Sequence, residues 1–298
     1  MKIKYGIIDN NIDVTEICYT KLLNKNIITI PSGDNNRVNH FTDPIIHVLK
    51  SIFIVNDQDE ELEYNNTLKI TIDINTNKII SSPDIEIDNK ISVIHNKLKI
   101  DYGNFYEELP EQKMVVRYLT GCEKVLEIGG NIGRNSLIIG HILREQNNNN
   151  FVSLECDADI ASQLQHNRDL NNLNFFIESS ALSKRNLIQI GWETIESDIV
   201  LDGYKKVNNI TFDELYLKYN IEFDTLVLDC EGSFYYILMD MPEILNNIKL
   251  IIMENDYTNI LHKHYIDAIL RQNNFYIDYT ESGGWGDCYN NFFEVWKK

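Results

Sequence analysis

The sequence predicts an α/β fold: a doubly wound, mostly parallel sheet closed by a terminal antiparallel hairpin, preceded by a small β-rich N-terminal domain. Two observations carry this. From about residue 104 the chain alternates strand-like and helix-like segments, the pattern of helices laid on both faces of a parallel sheet. Before about residue 100 it offers only short strand-like runs between turn-rich pieces. The expected division is therefore residues 1–95 for the β-rich domain and 96–298 for the α/β domain.

Taken in order, the first domain has strand-like IKYGII (3–8), NIITIP (26–31), KSIFIVND (50–57) and TLKITIDI (67–74). Between them SGDNNRVNHFTDP (32–44) collects Asp34, Arg37, His40 and Asp43, read as a loop whose polar groups satisfy one another, with ligand binding as the alternative. Residues 84–100 alternate acids with isoleucines and read as the junction. Then come helix EELPEQKMVVRYLTG, strand KVLEIG and helix NSLIIGHILREQ, the last apolar at i, i+3 and i+4. Strand FVSLEC, helix ADIASQLQHNRDLNN and strand NFFIES follow, with a linking region running through TFDELYLKYN. Strand DTLVLDC, helix SFYYILMDMPEILNN, strand KLIIMEN and helix TNILHKHYIDAILRQNN lead to FYIDYTES and NNFFEVWKK, the terminal hairpin.

Composition narrows the function classes. At 298 residues and 43% hydrophobic content the chain can bury a sizeable core. Cys18, Cys122, Cys156, Cys230 and Cys288 show no C-x-x-C and no Cys/His ligand spacing, so reduced thiols and a cytoplasmic location are expected. No run approaches the roughly 18 apolar residues that span a bilayer, and the N-terminus carries acids and asparagines, so neither a signal peptide nor a membrane partner is expected. With 27 basic against 45 acidic residues, a net charge of −18 opposes binding to a phosphate backbone, which excludes nucleic acid as the expected substrate.

The stretch VLEIGGNIGRNSLIIG (125–140) reads as a buried strand turning tightly into a helix around a ligand. A P-loop would end in Gly-Lys-Ser/Thr, whereas Gly133 is followed by Arg134 and Asn135. The dinucleotide pattern G-x-G-x-x-G aligned on Gly129 would need glycines where Asn131 and Arg134 stand. What remains is acid-x-Gly-x-x-x-Gly, with Glu127, Gly129 and Gly133. It lets backbone pass close to a ligand without a pyrophosphate and suits S-adenosylmethionine. Glycines at such a turn also arise simply because glycine tolerates positive φ.

VLEIGGNIG, SLECDADIASQLQHNRDLNNL, SSALS, ITFDEL, DTLVLDCEG and LIIMEND follow one another in the order of motifs in the FkbM family of S-adenosylmethionine-dependent methyltransferases, which the chain resembles from about residue 104 to 298. The Gly-x-Asn-x-Gly turn and Asp-x-Glu-Gly at 229–232 are the most specific parts. The resemblance implies a class I methyltransferase (Rossmann-like) fold and O-methylation of a sugar or other small hydroxylated metabolite in glycan or polysaccharide biosynthesis. The sequence departs from the family pattern at Cys156, where proline usually follows the second-strand acid, and at Val227 and Phe234, where many members carry a lysine and an acid. The family's substrate chemistry is therefore not carried over in detail.

Carried residue by residue, the resemblance implies that Gly129 and Gly133 let the turn approach the amino acid end of the cofactor. Asn131 then supplies an amide or a left-handed turn, and Glu127 lies near the cofactor's ammonium. Glu155 would accept hydrogen bonds from both ribose hydroxyls, with Ser180 and Ala181 beside the adenine. Asp229 is the expected general base, with Glu231 second, because a neutral hydroxyl needs a proton acceptor or a metal to become a nucleophile. Should a Mg²⁺ be present, Asp229, Glu231, Glu254 and Asp256 are its candidate ligands, against the plainer reading of solvated strand-end acids. His262 and His264 sit at i and i+2 of one helix, so at most one of them faces the site.

The expected partner is a small-molecule or glycan acceptor. The N-terminal domain is expected to serve acceptor specificity or assembly into a homo-oligomer. DCEG in place of Asn/Asp-Pro-Pro-aromatic disfavours methylation of a nucleobase. A non-catalytic glycan-binding or assembly module is the alternative reading, opposed by the intact turn and Glu155.

Overall fold

The computed structural model describes residues 1–56, 58–83 and 85–298. Asp57, the last residue of the expected strand 50–57, and Asp84, the first of the expected junction, lie outside the described residues. The chain forms two compact units, Met1–Asp88 with Tyr276–Glu281, and Asn89–Phe275 with Ser282–Lys298. Among the described residues no helix is long and apolar enough to cross a membrane.

The first unit holds two four-stranded antiparallel sheets. One pairs Asn10–Asp13, Lys2–Ile7, Ser51–Val55 and Glu61–Tyr64; the other pairs Leu23–Asn24, Ile27–Ile30, Leu68–Asp73 and Lys78–Pro83. Four strands each contribute an i, i+2 pair to the core: Ile3 and Tyr5, Ile28 and Ile30, Ile52 and Ile54, Ile70 and Ile72. Period-two alternation places these residues on one buried face.

Residues 32–44 are not a loop. Asp34–Phe41 is a helix. Asp34 and Arg37 are buried structural ties: Arg37 donates to the carbonyls of Pro31, Asn65 and Leu68 at 3.0, 2.9 and 2.8 Å. Asp34 accepts from the Tyr5 hydroxyl and pairs at 2.8 Å with Lys50, which also meets Asp43 at 2.9 Å. These charges were legible as polar, but not as partners, because their mates lie far along the chain.

The second unit is built on the alternation expected from the sequence. In chain order its main elements are α1 (Leu109–Tyr118), β1 (Val125–Ile128), α2 (Arg134–Glu145), β2 (Phe151–Leu154), α3 (Ala158–Leu170) and β3 (Phe176–Glu178). They continue with α4 (Phe212–Tyr219), β4 (Thr225–Leu228), α5 (Phe234–Asp240), β5 (Leu250–Glu254), α6 (Ile260–Gln272) and β7 (Phe293–Lys297); the strand between the last two in the chain, β6 (Tyr276–Glu281), falls in the first unit. Within the second unit the sheet order is β3-β2-β1-β4-β5-β7. Strands β1 to β5 run parallel, and β7 is antiparallel to β5. This is the class I methyltransferase fold.

Strands β1, β2 and β4 are buried at every position, which is why they read as continuous apolar runs. Helix starts follow capping chemistry. The Asp157 side chain accepts from the amides of Asp159 and Ile160 at α3, and Thr211 forms a capping box with Glu214 at α4. Pro242 ends the helix expected over SFYYILMDMPEILNN, so α5 stops at Asp240 and a short 3₁₀ turn follows.

The linking region is more structured than expected. Ala181–Leu182 pairs with Asn209–Ile210, and Leu187–Ile190, Glu193–Glu196 and Lys205–Lys206 form a three-stranded antiparallel sheet.

Candidate active site

The sheet reverses its strand order between β1 and β4, and ligands of open α/β sheets bind at the carboxyl ends of the strands at such a point. The turn that leaves β1 is shaped for close approach. Gly129, Asn131 and Gly133 all have positive φ, at +92°, +45° and +97°. A Cβ at Gly129 would overlap the carbonyl oxygen of Asp229, so only glycine lets the end of β1 lie against the end of β4. The amides of Gly129 and Gly130 both donate to the Leu154 carbonyl, at 3.0 and 2.8 Å. That ties the turn to the end of β2.

Around this turn lies a cavity of about 360 Å³, the size of a small-molecule site. Of the residues singled out from the sequence, Gly129, Asn131, Glu155, Ser180, Ala181, Asp229 and Glu231 line it. Two others stand elsewhere. Gly133 caps α2 and packs where a side chain would collide with Leu164 of α3, outside the lining. Glu127 is 2% exposed and lines not this cavity but a small pocket of about 10 Å³, with Glu108, Glu111, Asn135, Val227 and Asp229. There its carboxylate accepts from the Ser136 hydroxyl and from that of Ser153 at 2.5 Å, and burial pushes it up to about 7.

Glu155 sits at the end of β2, 9% exposed, and is held above the usual carboxylate range by burial. One of its oxygens accepts from the Asn131 amide at 2.9 Å and the other from the Asp157 amide at 2.8 Å. Each oxygen retains a lone pair that can accept a further hydrogen bond. A fixed carboxylate, a turn without side-chain bulk and apolar walls from Ile128, Leu154, Leu182 and Ile237 fit an adenosine-sized group carrying a diol. Ser180, 6% exposed, donates to Glu178 at 3.0 Å.

The acids after β4 and β5 do not converge into a metal site. Among the described residues no group of three or more His, Cys, Asp or Glu is arranged to hold an ion. Neither Glu254 nor Asp256 lines the cavity, and Asp256 Oδ1 accepts from the Gly232 amide at 2.8 Å. Glu231 is exposed, with φ +50°. Asp229 is held well above the usual carboxylate range, first by burial and then by the neighbouring Glu254 carboxyl. His262 and His264 do not line the cavity either; the ring of His262 stacks on Tyr235 at 3.8 Å.

The cavity also takes residues not singled out from the sequence: Cys156, Cys230, and Arg185, Gln189, Trp192 and Thr194 from the three-stranded insert and its approach. Arg185 ties that insert to α5 through Asp240, at 2.6 and 2.9 Å, and reaches Glu196 at 3.0 Å. LIQI-GW-ETIE carried the signal of a tight hairpin at Gly191, whose φ is +56°.

No protein-family model matches the chain, and no curated protein matches it at a significant level. Among solved structures it is similar to the O-methyltransferase from Bacillus cereus in complex with SAH, at 16% identity over 73% of this chain and 92% of that one, with a TM-score of 0.39. It is likewise similar to the ribosomal protein L11 methylase from Lactobacillus delbrueckii subsp. bulgaricus, at 13% identity over 66% and 79% of the two chains, with a TM-score of 0.40. Methyltransferase FkbM from Methylobacillus flagellatus is 12% identical over 72% of this chain and 60% of its own length, with a TM-score of 0.40.

Proposed function

We propose that the second unit is an S-adenosylmethionine-dependent O-methyltransferase acting on a hydroxyl of a sugar or other small metabolite. The observation that carries this reading is the meeting of the glycine turn, Glu155 and Asp229 on one cavity at the sheet's reversal point. Glu155 would hold the ribose diol, the backbone at Gly129 the amino acid end, and Ser180 and Ala181 the adenine edge. The cofactor, when bound, supplies an electrophilic methyl group. The chain's own task is then to orient the acceptor hydroxyl and remove its proton. Asp229 would remove it: burial and the neighbouring Glu254 carboxyl make it a stronger proton acceptor than an exposed carboxylate once ionised. Exposed Glu231 at the same rim would orient the acceptor.

Glu155→Ala should weaken S-adenosylhomocysteine binding by about 1.5–3 kcal/mol, roughly ten- to a hundredfold, the cost of losing hydrogen bonds to a charged group. Glu155→Gln keeps one acceptor oxygen and should fall between. Calorimetry on both variants checks the assignment, and unchanged affinity in Glu155→Ala refutes it. Incubation with labelled S-adenosylmethionine and a panel of oligosaccharides and nucleotide sugars, read by mass spectrometry for the gain of one methyl, identifies the acceptor.

A further inference from the structure

The three-stranded insert at 187–206 forms one wall of the large cavity. Leu187 and Glu196 stand opposite each other across its hairpin, as do Gln189 and Thr194. Directly paired residues share a face of the sheet, and all four line the cavity. Ion pairs mark where this wall sits. At one end Arg185 bonds Asp240 of α5 at 2.6 and 2.9 Å. At the other, Lys205, in register with Gln189, meets Asp159 at 3.2 Å, four residues past Glu155. The insert therefore reaches from the helix that follows β4 to the carboxyl end of β2.

Trp192 is the second residue of the two-residue turn that joins Leu187–Ile190 to Glu193–Glu196. It lines the cavity yet is 63% exposed, so much of its indole is uncovered. The other aromatic residue in the lining, Tyr236, belongs to α5, and its ring is already occupied. The Arg185 guanidinium lies over it at 5.0 Å, and Tyr235 and His262 meet it edge to face.

Topology decides which end of a bound adenosyl ligand faces the insert. The strand ends run in the order β3-β2-β1-β4. With the sulfur over the ends of β1 and β4, at Gly129 and Asp229, and the ribose diol at Glu155 on β2, the base projects beyond β2 toward β3. There the chain leaves β3 through Ser180 and Ala181 and enters the insert. Ser180 and backbone can meet the edge of a base, but its flat π faces are best covered by an aromatic ring.

We propose that Trp192 stacks on the adenine of the bound cofactor, which makes the insert a cofactor-binding wall. The proposal rests on the adenosyl-cofactor reading of the cavity. Ser180 and Ala181 border the edge of the base, and Trp192 covers one face of it.

Fluorescence and calorimetry on the intact chain test this without an acceptor. Trp285 and Trp296 do not line the cavity, so a ligand-dependent change in indole emission is assigned to Trp192. S-adenosylhomocysteine should change the tryptophan emission of the wild-type chain, and the change should vanish in Trp192→Phe, whose affinity stays within about threefold because a π face remains. Trp192→Ala should bind about ten- to a hundredfold more weakly, the usual worth of one base stacked on an aromatic ring, with an unaltered unfolding midpoint. Unchanged affinity in Trp192→Ala, an emission change that survives in Trp192→Phe, or Trp192→Phe as weak as Trp192→Ala overturns the stacking and leaves the cofactor site standing. Absence of S-adenosylhomocysteine binding to the wild-type chain removes the cofactor reading and the stacking together.

Discussion

Gly129→Ala is expected to destabilise the second unit by on the order of 4 kcal/mol and to abolish cofactor binding. Two costs combine. A non-glycine residue at φ +92° bears about 1–3 kcal/mol of backbone strain. The added methyl would also drive into the Asp229 carbonyl, which is backbone and cannot swing away, and such overpacking costs a further 1–3 kcal/mol or so. Gly191→Ala is the matched control. Its φ is +56°, but nothing lies within 4 Å of the added carbon, so only the backbone cost of about 1 kcal/mol applies. Denaturant unfolding of both variants checks the difference, and equal losses would show that β1 and β4 are not pressed together at this turn.

Asp229→Asn is expected to lower turnover by about 10²–10⁴, the usual contribution of a general acid-base residue, while S-adenosylhomocysteine affinity changes little. The substitution nearly preserves shape and removes the proton acceptor. It also suits the site, since burial already disfavours charge there. The decisive comparison is kcat against cofactor affinity in the same preparation. Near-normal turnover would move the base to Glu231, which also lines the cavity two residues on.

Much of the second unit was legible because its signals are local. The strands β1, β2 and β4 are buried on both faces and therefore written as unbroken apolar runs, and the glycines of the β1 turn are required by positive φ. Glu127 shows the limit of such reading. Its place one residue before the end of β1 is visible, yet period-two alternation turns it into the small pocket rather than the large cavity. The sequence of the helix Asp34–Phe41 reads as a loop since asparagines and aspartates favour turns, whereas Arg37 and Lys50 bury there only because distant carbonyls and carboxylates receive them. The short insert strands at 187–206 start from a hairpin whose sequence signal is the Gly191 turn between two short strand-like runs.

The central claim is that the cavity beside Gly129 and Glu155 takes an adenosyl cofactor, and titration of the intact chain with S-adenosylhomocysteine in a calorimeter tests it most directly. The expected result is saturable binding at one site per chain, weakened in Glu155→Ala; no detectable heat of binding at about millimolar ligand would contradict the account.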